Sequence, residues 1–373
     1  MDRSGFFRNA FALGAALVLL LAGCGSEHAS SPAPQQPPAG NGGASSLAFV
    51  DLNDTTITSI QLSTSSEYDP STNEVRIFAL PRDQDGNPLM DFNSYNFVLT
   101  LNSGSAPYTV DPEDLSLSVE ASADRIIALV IDSSGSMSSI DSETGETRLE
   151  VAKQAAKLFV DLMGPGDRAA VVTFSTSART VQPLTGDTGL LTAAIDSLTP
   201  DGATNFGGGI QEGVSAVGTR PGRRAMILLT DGDDTVDTVV GGPSLWLGNA
   251  SSTRNQGVEA ALENDITVFT VGLGTDLSAT GFADLQTIAG ETGGAFFQAP
   301  QATDLLTAFG ETIPSAVDSL TPIETYVLTA PSPGRPITGI SQELSFRLSA
   351  FYMNGNSAPS AFVADSTGSY RVP

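Results

Sequence analysis

Five oxygen-bearing side chains fall in three short motifs whose residue types suit a metal ion. They are Asp132, Ser134 and Ser136 in Asp-Ser-Ser-Gly-Ser, Thr204 in Gly-Ala-Thr-Asn, and Asp231 in Thr-Asp-Gly. Hard cations such as Mg²⁺ and Mn²⁺ prefer octahedral oxygen coordination, which carboxylates and hydroxyls supply. The residues therefore predict a divalent-cation site for Mg²⁺ or Mn²⁺, with Ca²⁺ as a further candidate.

Two buried strands are predicted to position the carboxylates. Asp132 ends an apolar run over 126–131, and Asp231 follows a second apolar run over 225–229. Continuous apolar runs of this length are typical of strands in a parallel sheet covered on both faces. Neighbouring parallel strands open a crevice at their carboxyl ends where the chain order reverses, so we expect both aspartates at a ligand-binding edge.

Helical segments alternate with these strands. The first has an apolar face and stops at Gly164-Pro165-Gly166-Asp167; the face is formed by Leu149, Ala152, Ala156, Phe159 and Met163. Further strands are predicted near 169–174 and 266–271, with an edge strand at 179–184 and a glycine-rich helix over 205–217 beside Thr204. This βαβ alternation predicts an α/β fold with a doubly wound, mainly parallel, Rossmann-like sheet.

The balance of ligand types predicts what the cation would do. Three neutral hydroxyls and only two carboxylates leave a bound divalent cation electron-poor. We infer that such a cation accepts a further anionic oxygen from outside the chain. An Asp or Glu side chain of a partner protein is the most plausible source.

The same residues resemble the metal-ion-dependent adhesion site (MIDAS) of the von Willebrand factor A (VWA) domain. That pattern is Asp-x-Ser-x-Ser, a distant Thr and a later Asp, and all five positions are matched. The resemblance covers about 125–319, roughly half of the chain, and its specificity comes from the order of strands, motifs and helices. It implies that Ser134, Ser136 and Thr204 contact the metal directly or nearly so, and that Asp132 and Asp231 act largely through water.

Composition restricts the functional class. A formal charge of -25, with Lys153 and Lys157 as the only lysines, argues against a nucleic-acid-binding surface. The single cysteine, Cys24, and the single histidine, His28, both precede the predicted folded region. That region therefore cannot hold a Ser-His-Asp or Cys-His apparatus or a conventional zinc site, and we expect a non-enzymatic protein.

The N-terminus resembles a bacterial lipoprotein signal. Residues 1–24 contain Arg3 and Arg8, an apolar run over 10–22, and Leu-Ala-Gly-Cys ending at Cys24, which would be the lipidated residue. A plain secretory signal with a chance cysteine is the alternative. Residues 25–46 are rich in Pro, Gly and Ser and predict a flexible tether. The expected location is the cell envelope, with the chain held on a membrane by its N-terminal lipid.

Residues on both sides of the predicted VWA domain (124–319) read as β-strands. Alternating apolar residues occur in the segment 47–123, for example Val75, Ile77 and Ala79, and again in the segment 320–373, for example Leu344, Phe346 and Leu348. We hypothesise that these flanks form one β-sandwich into which the VWA domain is inserted. Two small β modules in series are the alternative.

Two further features near the predicted site leave alternatives open. Acidic residues cluster in the loops after both aspartate motifs, where they would either bind a second, Ca²⁺-like ion or be simply solvated; these are Asp141, Glu143, Glu146, Asp233, Asp234 and Asp237. Leu245, Trp246 and Leu247 lie in a long insertion after Asp231. They are either a partner-contact cluster or packing within their own domain.

These features together predict metal-dependent binding of a protein at the bacterial envelope, in adhesion or in envelope assembly. One alternative is an accessory subunit that docks on a transporter, secretion or motor complex through the same metal. A second alternative is a metal-dependent hydrolase, in which the cation acts as a Lewis acid. Nothing in the sequence supplies an evident general base beyond the site aspartates.

Overall fold

A computed structural model describes residues 57–89, 92–102, 107–236, 253–333, 342–353 and 361–372 of the chain. The predicted signal and tether, Cys24 and the cluster of Leu245, Trp246 and Leu247 lie outside the described residues. Every helix among the described residues is too short or too polar to cross a membrane. Residues 48–373 form one compact unit, which contains all the elements below.

Six strands in the middle of the chain form one sheet in the order β11-β10-β9-β6-β7-β8. All neighbours are parallel except the edge strand β8, which pairs antiparallel with β7. The strands are β6 (Arg125–Asp132), β7 (Arg168–Phe174), β8 (Ala178–Thr185), β9 (Arg223–Thr230), β10 (Thr267–Leu273) and β11 (Phe296–Ala299). The chain order reverses between β6 and β9, so the crevice predicted from the sequence lies between them.

Among the described residues, seven α-helices cover the two faces of this sheet. They are α1 (Arg148–Asp161), α2 (Thr188–Asp196), α3 (Phe206–Val217), α4 (Thr253–Glu263), α5 (Ala279–Glu291), α6 (Ala302–Thr307) and α7 (Ile313–Asp318). A π-helical turn over Ala308–Thr312 joins α6 to α7. One core lies under α1, α2, α6 and α7, and a second lies under α3, α4 and α5. Helices on both faces of a mainly parallel sheet make this region doubly wound.

The glycines of α3 let this helix approach its neighbours closely. A Cβ atom on Gly207 would lie 2.2 Å from the Thr253 carbonyl carbon at the start of α4, and one on Gly213 would lie 2.5 Å from the Met226 side chain in β9. Glycine lowers helix propensity by about 1 kcal/mol relative to alanine. Close packing against α4 and the sheet explains why α3 is glycine-rich, and its N-cap Asn205 accepts a hydrogen bond from Gly208 N at 2.9 Å.

The segments before and after the α/β region form two antiparallel sheets, in the orders β1-β2-β12-β5 and β14-β13-β3-β4. Both sheets mix strands from the two ends of the chain, because β12 pairs with β2 and β5, and β13 pairs with β3. The strands are β1 (Ile60–Asp69), β2 (Glu74–Asp83), β3 (Phe97–Asn102), β4 (Pro107–Thr109), β5 (Ser116–Glu120), β12 (Thr325–Pro331), β13 (Gln342–Met353) and β14 (Ala361–Val372).

One hydrophobic core lies between these two sheets. Ile77 of β2, Leu99 of β3, Tyr326 of β12 and Leu348 of β13 are all fully buried in it. The alternation of apolar residues corresponds to one buried face in β3 and β13, whereas β2 and β12 are buried on both faces over much of their length. The predicted fold class, a doubly wound, mainly parallel sheet beside an all-β region, is confirmed.

The antiparallel sheets contact the α/β region at the amino ends of β9 and β10. Arg82 of β2 forms an ion pair with Asp265, which precedes β10, and Arg224 of β9 lies 3.6 Å from the same carboxylate. Thr219, after α3, donates a hydrogen bond from its hydroxyl to Phe78 O at 2.8 Å. The opposite edge of the central sheet, where Asp132 and Asp231 lie, is remote from this joint because it is formed by the other ends of the strands.

Candidate metal centre

Asp132 lies at the end of β6, and two hydrogen bonds fix its carboxylate. Oδ1 accepts from Ser134 N at 2.7 Å, and Oδ2 accepts from the Thr230 hydroxyl at 2.6 Å. Thr230 is the last residue of β9, which pairs in parallel with β6. The neighbouring strand therefore holds the Asp132 carboxylate at the carboxyl edge of the sheet.

Ser136 links the first motif to Asp231. Its hydroxyl lies 3.0 Å from the Ser134 hydroxyl and donates to Asp231 Oδ1 at 2.6 Å. Residues 135–138 form one turn of 3₁₀-helix after β6, which brings Ser136 back across the end of β9. Four of the five predicted residues, Asp132, Ser134, Ser136 and Asp231, are therefore joined by a chain of hydrogen bonds.

Thr204 lies in a loop that is hydrogen-bonded to both aspartate motifs. Gly135 N donates to Gly202 O at 3.0 Å, and Thr235 N donates to Thr204 O at 2.9 Å. Thr204 N in turn donates to the Thr235 hydroxyl at 2.9 Å. The structure thus brings the three motifs to one edge of the sheet, with Thr204 held between the other two.

The site combines deep burial with an opening on one side. Asp132 is 0% exposed and Asp231 is 1% exposed, whereas Ser136 is exposed to solvent. Burial raises the pKa of the Asp132 carboxyl to about 7, and the nearby charge of Asp231 raises it as well. A buried carboxylate beside a second one favours a cation as its counter-charge.

The donor set fits a hard divalent cation. Every predicted ligand atom is an oxygen, which suits Mg²⁺ or Mn²⁺. In the described parts of the chain no group of three or more His, Cys, Asp or Glu side chains is placed to share a metal ion. The hydroxyls of Ser134, Ser136 and Thr204 would complete the coordination of a cation held here. The assignment of the five residues as metal ligands stays a prediction.

The acidic residues of the surrounding loops serve other contacts. Asp141 Oδ1 accepts hydrogen bonds from the backbone of Glu143 and Thr144, and Glu143 in turn accepts from Thr303 N at 3.1 Å. Asp233 accepts from Ser278 N at 3.0 Å at the start of α5. These hydrogen bonds engage Asp141, Glu143 and Asp233, while Asp237 lies outside the described residues. The alternative of a second ion stays untested.

Sequence reasoning missed two residues that shape the site. Thr230 was read only as the neighbour of Asp231, yet its hydroxyl binds Asp132. Arg148, the first residue of α1, donates from Nη1 to Asp231 Oδ2 at 2.8 Å. A lone basic residue that directly follows the acidic loop over 141–146 was the available signal for the second contact.

Part of the α/β region matches a known family model. The family model of the von Willebrand factor type A domain matches residues 127–233, which run from β6 past Asp231. The α/β region has the VWA fold. The match includes Asp132, Ser134, Ser136, Thr204 and Asp231, and it ends before α4, β10 and the later elements of the VWA region.

Several known proteins are similar to parts of this chain. A UPF0353 protein of Mycolicibacterium paratuberculosis is 31% identical over 143 residues, which are 36% of this chain and 42% of that protein. The chain thus spans less than half the length of this curated relative. The solved von Willebrand factor type A structure from Catenulispora acidiphila covers 85% of this chain and 74% of its own, with 15% identity and a TM-score of 0.44.

A mussel byssus protein, proximal thread matrix protein 1, was solved with a zinc-occupied MIDAS motif. It is 21% identical, covers 59% of this chain and 50% of its own, and has a TM-score of 0.42.

Proposed function

We propose that this chain is a metal-dependent protein-binding component of the bacterial cell envelope. A divalent cation, Mg²⁺ or Mn²⁺, would be held by Asp132, Ser134, Ser136, Thr204 and Asp231. Bound there, it would supply an open coordination position for an Asp or Glu side chain of a partner protein. The observation that carries the proposal is the contact of Ser136 with both Ser134 and Asp231 at the edge where β6 and β9 end.

Because the chain is strongly negative, the metal would be needed to attract an acidic partner group. At -25 the protein repels acidic partners on average. A bound divalent cation is the largest local charge in such a site and inverts the potential around it. Recognition of an acidic group would therefore depend on the loaded site and would be lost when the metal is removed.

Binding rather than catalysis is the activity that we propose. Cys24 and His28, the single cysteine and histidine of the sequence, precede the α/β region by about a hundred residues. Asp132 accepts hydrogen bonds from Ser134 N and Thr230, and Asp231 is engaged by Ser136 and Arg148. These carboxylates are therefore committed to positioning, which suits a binding site better than proton transfer.

The envelope location rests on the N-terminal sequence. The apolar run over 10–22, followed by Leu-Ala-Gly-Cys, is the pattern of a lipoprotein signal, and lipidation of Cys24 would anchor the chain on a membrane. Adhesion and envelope assembly both suit an anchored chain that binds a protein partner. The aromatic-aliphatic cluster of Leu245, Trp246 and Leu247 is proposed as an additional partner contact.

A capture experiment tests this function. The full chain is incubated with envelope and secreted fractions in Mg²⁺, in chelator, and as the Asp132→Ala variant. We expect one or more proteins to be retained only by the intact chain with Mg²⁺. The matched control is Asp196→Ala, which removes an exposed carboxylate of α2 paired with Lys157 and should retain the same partners.

Capture that is indifferent to both chelator and Asp132→Ala would contradict the proposal. In that outcome the partner binds another surface of the protein. The variant Trp246→Ala would then show whether that surface is the insertion after Asp231 or the antiparallel sheets.

A further inference from the structure

Arg148 brings a positive charge to the predicted metal site. It is the first residue of α1, after the N-cap Thr147, and its side chain is 12% exposed. Nη1 donates to Asp231 Oδ2 at 2.8 Å, and Nη2 donates to Asp276 Oδ2 at 2.5 Å. The guanidinium therefore bridges the end of β9 and the loop after β10.

The two oxygens of Asp231 have separate partners. Oδ2 accepts from Arg148, whereas Oδ1 accepts from the Ser136 hydroxyl at 2.6 Å. A carboxylate held on one side by a guanidinium cannot rotate freely, because the charge-assisted hydrogen bond is directional. Arg148 thus keeps Asp231 Oδ1 pointed at the predicted ligand hydroxyls.

The fold makes room for this guanidinium. Gly274, in the loop after β10, has φ +79°, and a Cβ atom there would lie 3.2 Å from Arg148 Nη2. The positive φ and the close approach both favour glycine. The position of Arg148 is therefore fixed by the loops after β9 and β10 as well as by the start of α1.

Charge balance gives Arg148 a second effect. A divalent cation is neutralised by the two carboxylates of Asp132 and Asp231, and Arg148 adds one positive charge. The other partner of Arg148, Asp276, is 64% exposed, so water screens its charge far more than that of the fully buried Asp231 side chain. The loaded site therefore keeps a positive excess.

We propose that the charge of Arg148 outweighs its effect on the orientation of Asp231, so that Arg148 lowers the affinity of the site for metal and raises the affinity of the loaded site for an acidic ligand. This inference rests on the proposed function. The two effects have opposite signs because the guanidinium repels the cation and attracts an incoming carboxylate. A residue needed only for folding would change both affinities in the same direction.

The test measures Mn²⁺ binding to the full chain by the electron paramagnetic resonance signal of the free ion. For Arg148→Met we expect Mn²⁺ to bind about fivefold more tightly than to the wild type, because a positive charge next to Asp231 is lost. Arg148→Lys loses the two-donor geometry but keeps the positive charge, so it should stay within about twofold of the wild type if charge sets the affinity. Asp276→Asn is the matched control, since it leaves the contact between Arg148 and Asp231 in place, and it should also stay within about twofold.

The second half of the test uses acetate as the carboxylate probe. Acetate replaces water on bound Mn²⁺, which is followed as a fall in water-proton relaxation enhancement. We expect the half-effect concentration of acetate to rise about fivefold in Arg148→Met and to be nearly unchanged in Arg148→Lys. Melting curves in chelator check folding, and Arg148→Gln serves as the charge-removing variant if Arg148→Met does not fold.

The outcomes separate this inference from the proposed function. A wild-type chain that binds no Mn²⁺ contradicts the proposed function and removes the basis of this inference with it. A wild-type chain that binds Mn²⁺, with Arg148→Met either unchanged or weakened in both Mn²⁺ and acetate binding, overturns only the role given to Arg148.

Discussion

The buried charges at the two ends of strand β9 differ in sign: carboxylates predominate at its carboxyl end and arginines predominate near its amino end. At its carboxyl end Asp231 pairs with Arg148, whereas the carboxylate of Asp132 accepts hydrogen bonds from Ser134 N and the Thr230 hydroxyl. Near its amino end Arg224 and Arg82 share one carboxylate, that of Asp265. Burial disfavours the charged form at both ends, so it raises the pKa of Asp132 to about 7 and lowers the pKa of Arg224 to about 10.

The difference between the ends lies in what covers them. The arginine-rich end is the joint with the antiparallel sheets, where Arg82 Nη1 also donates to Gly86 O at 2.6 Å. The carboxylate-rich end is lined by short hydroxyl side chains and opens to solvent at Ser136. One end therefore uses its charges to hold two parts of the fold together, and the other leaves room for a cation.

The largest effect is expected from breaking the arginine-rich end. Asp265→Ala leaves two buried guanidinium groups without their shared carboxylate, which costs about 3 kcal/mol of unfolding free energy. Affinity for Mg²⁺ should stay within about twofold of the wild type, because the other end of the sheet is unchanged. Urea unfolding and calorimetry measure the two quantities.

Asp265→Asn is the control for backbone conformation, since Asp265 has φ +49° and asparagine tolerates that region. If Asp265→Asn were as stable as the wild type, charge pairing would not be what holds the joint.

The next largest effect is a dependence of folding stability on pH that comes from the carboxylate-rich end. The folded-state pKa of Asp132 is raised from 3.8 to about 7, so the native state binds more protons than the unfolded state between these values. Without divalent cations the stability of the wild type should therefore fall as pH rises from about 4 to about 7. Asp132→Asn lacks this titration, and its stability relative to the wild type should increase across the same window.

Urea unfolding in chelator at pH 5 and pH 8 measures this change. A difference between the two proteins that is the same at both pH values would show that Asp132 does not titrate in this range.

A smaller effect is expected from single ligand hydroxyls. Ser136→Ala removes the group that joins Ser134 to Asp231, and it should weaken Mg²⁺ binding about tenfold while changing stability little, because Ser136 is exposed. Ser142→Ala, at an exposed serine of the following loop, should leave Mg²⁺ affinity unchanged. Equal affinities for all three proteins, measured by calorimetry, would remove Ser136 from the ligand set.

The smallest effect is expected from breaking an exposed ion pair, which serves as a reference for the buried pairs of the joint. Arg76 of β2 pairs with Glu120 of β5 at 2.9 Å, and both side chains are about one third exposed. Glu120→Gln should cost about 0.5 kcal/mol, since solvent screens such pairs. A cost in urea unfolding equal to that of Asp265→Ala would mean that burial does not explain the strength of the joint.

Local patterns in the sequence predicted most of the fold. The apolar runs before Asp132 and Asp231 became β6 and β9, and the alternating residues around Leu99 and Leu348 became strands with one buried face, whereas β2 around Ile77 is buried on both faces over its second half. Each of these signals depends on whether a segment is buried on one face or on both. Local patterns do not predict which strands pair, because the pairing of β12 with β2 and β5 joins segments far apart in the chain.

The candidate site was predictable only in part for the same reason. The motif spacing predicted five ligands, and the structure brings the three motifs that contain them to one edge of the central sheet. The roles of Arg148 and Thr230 depend on which side chains meet across β6, β9 and α1, and no local pattern encodes that meeting. Similarly, the glycines of α3 indicate a weak helix in sequence, whereas packing against Thr253 and Met226 requires them.

The most direct test of the account is the stoichiometry of Mg²⁺ binding to the full chain by isothermal titration calorimetry, with wild type and Asp132→Ala compared at the same pH. We expect one Mg²⁺ to bind per wild-type chain, and we expect no measurable binding to Asp132→Ala. Binding of Mg²⁺ to both proteins with the same stoichiometry and affinity would contradict it, because the cation would then lie away from the edge formed by β6 and β9.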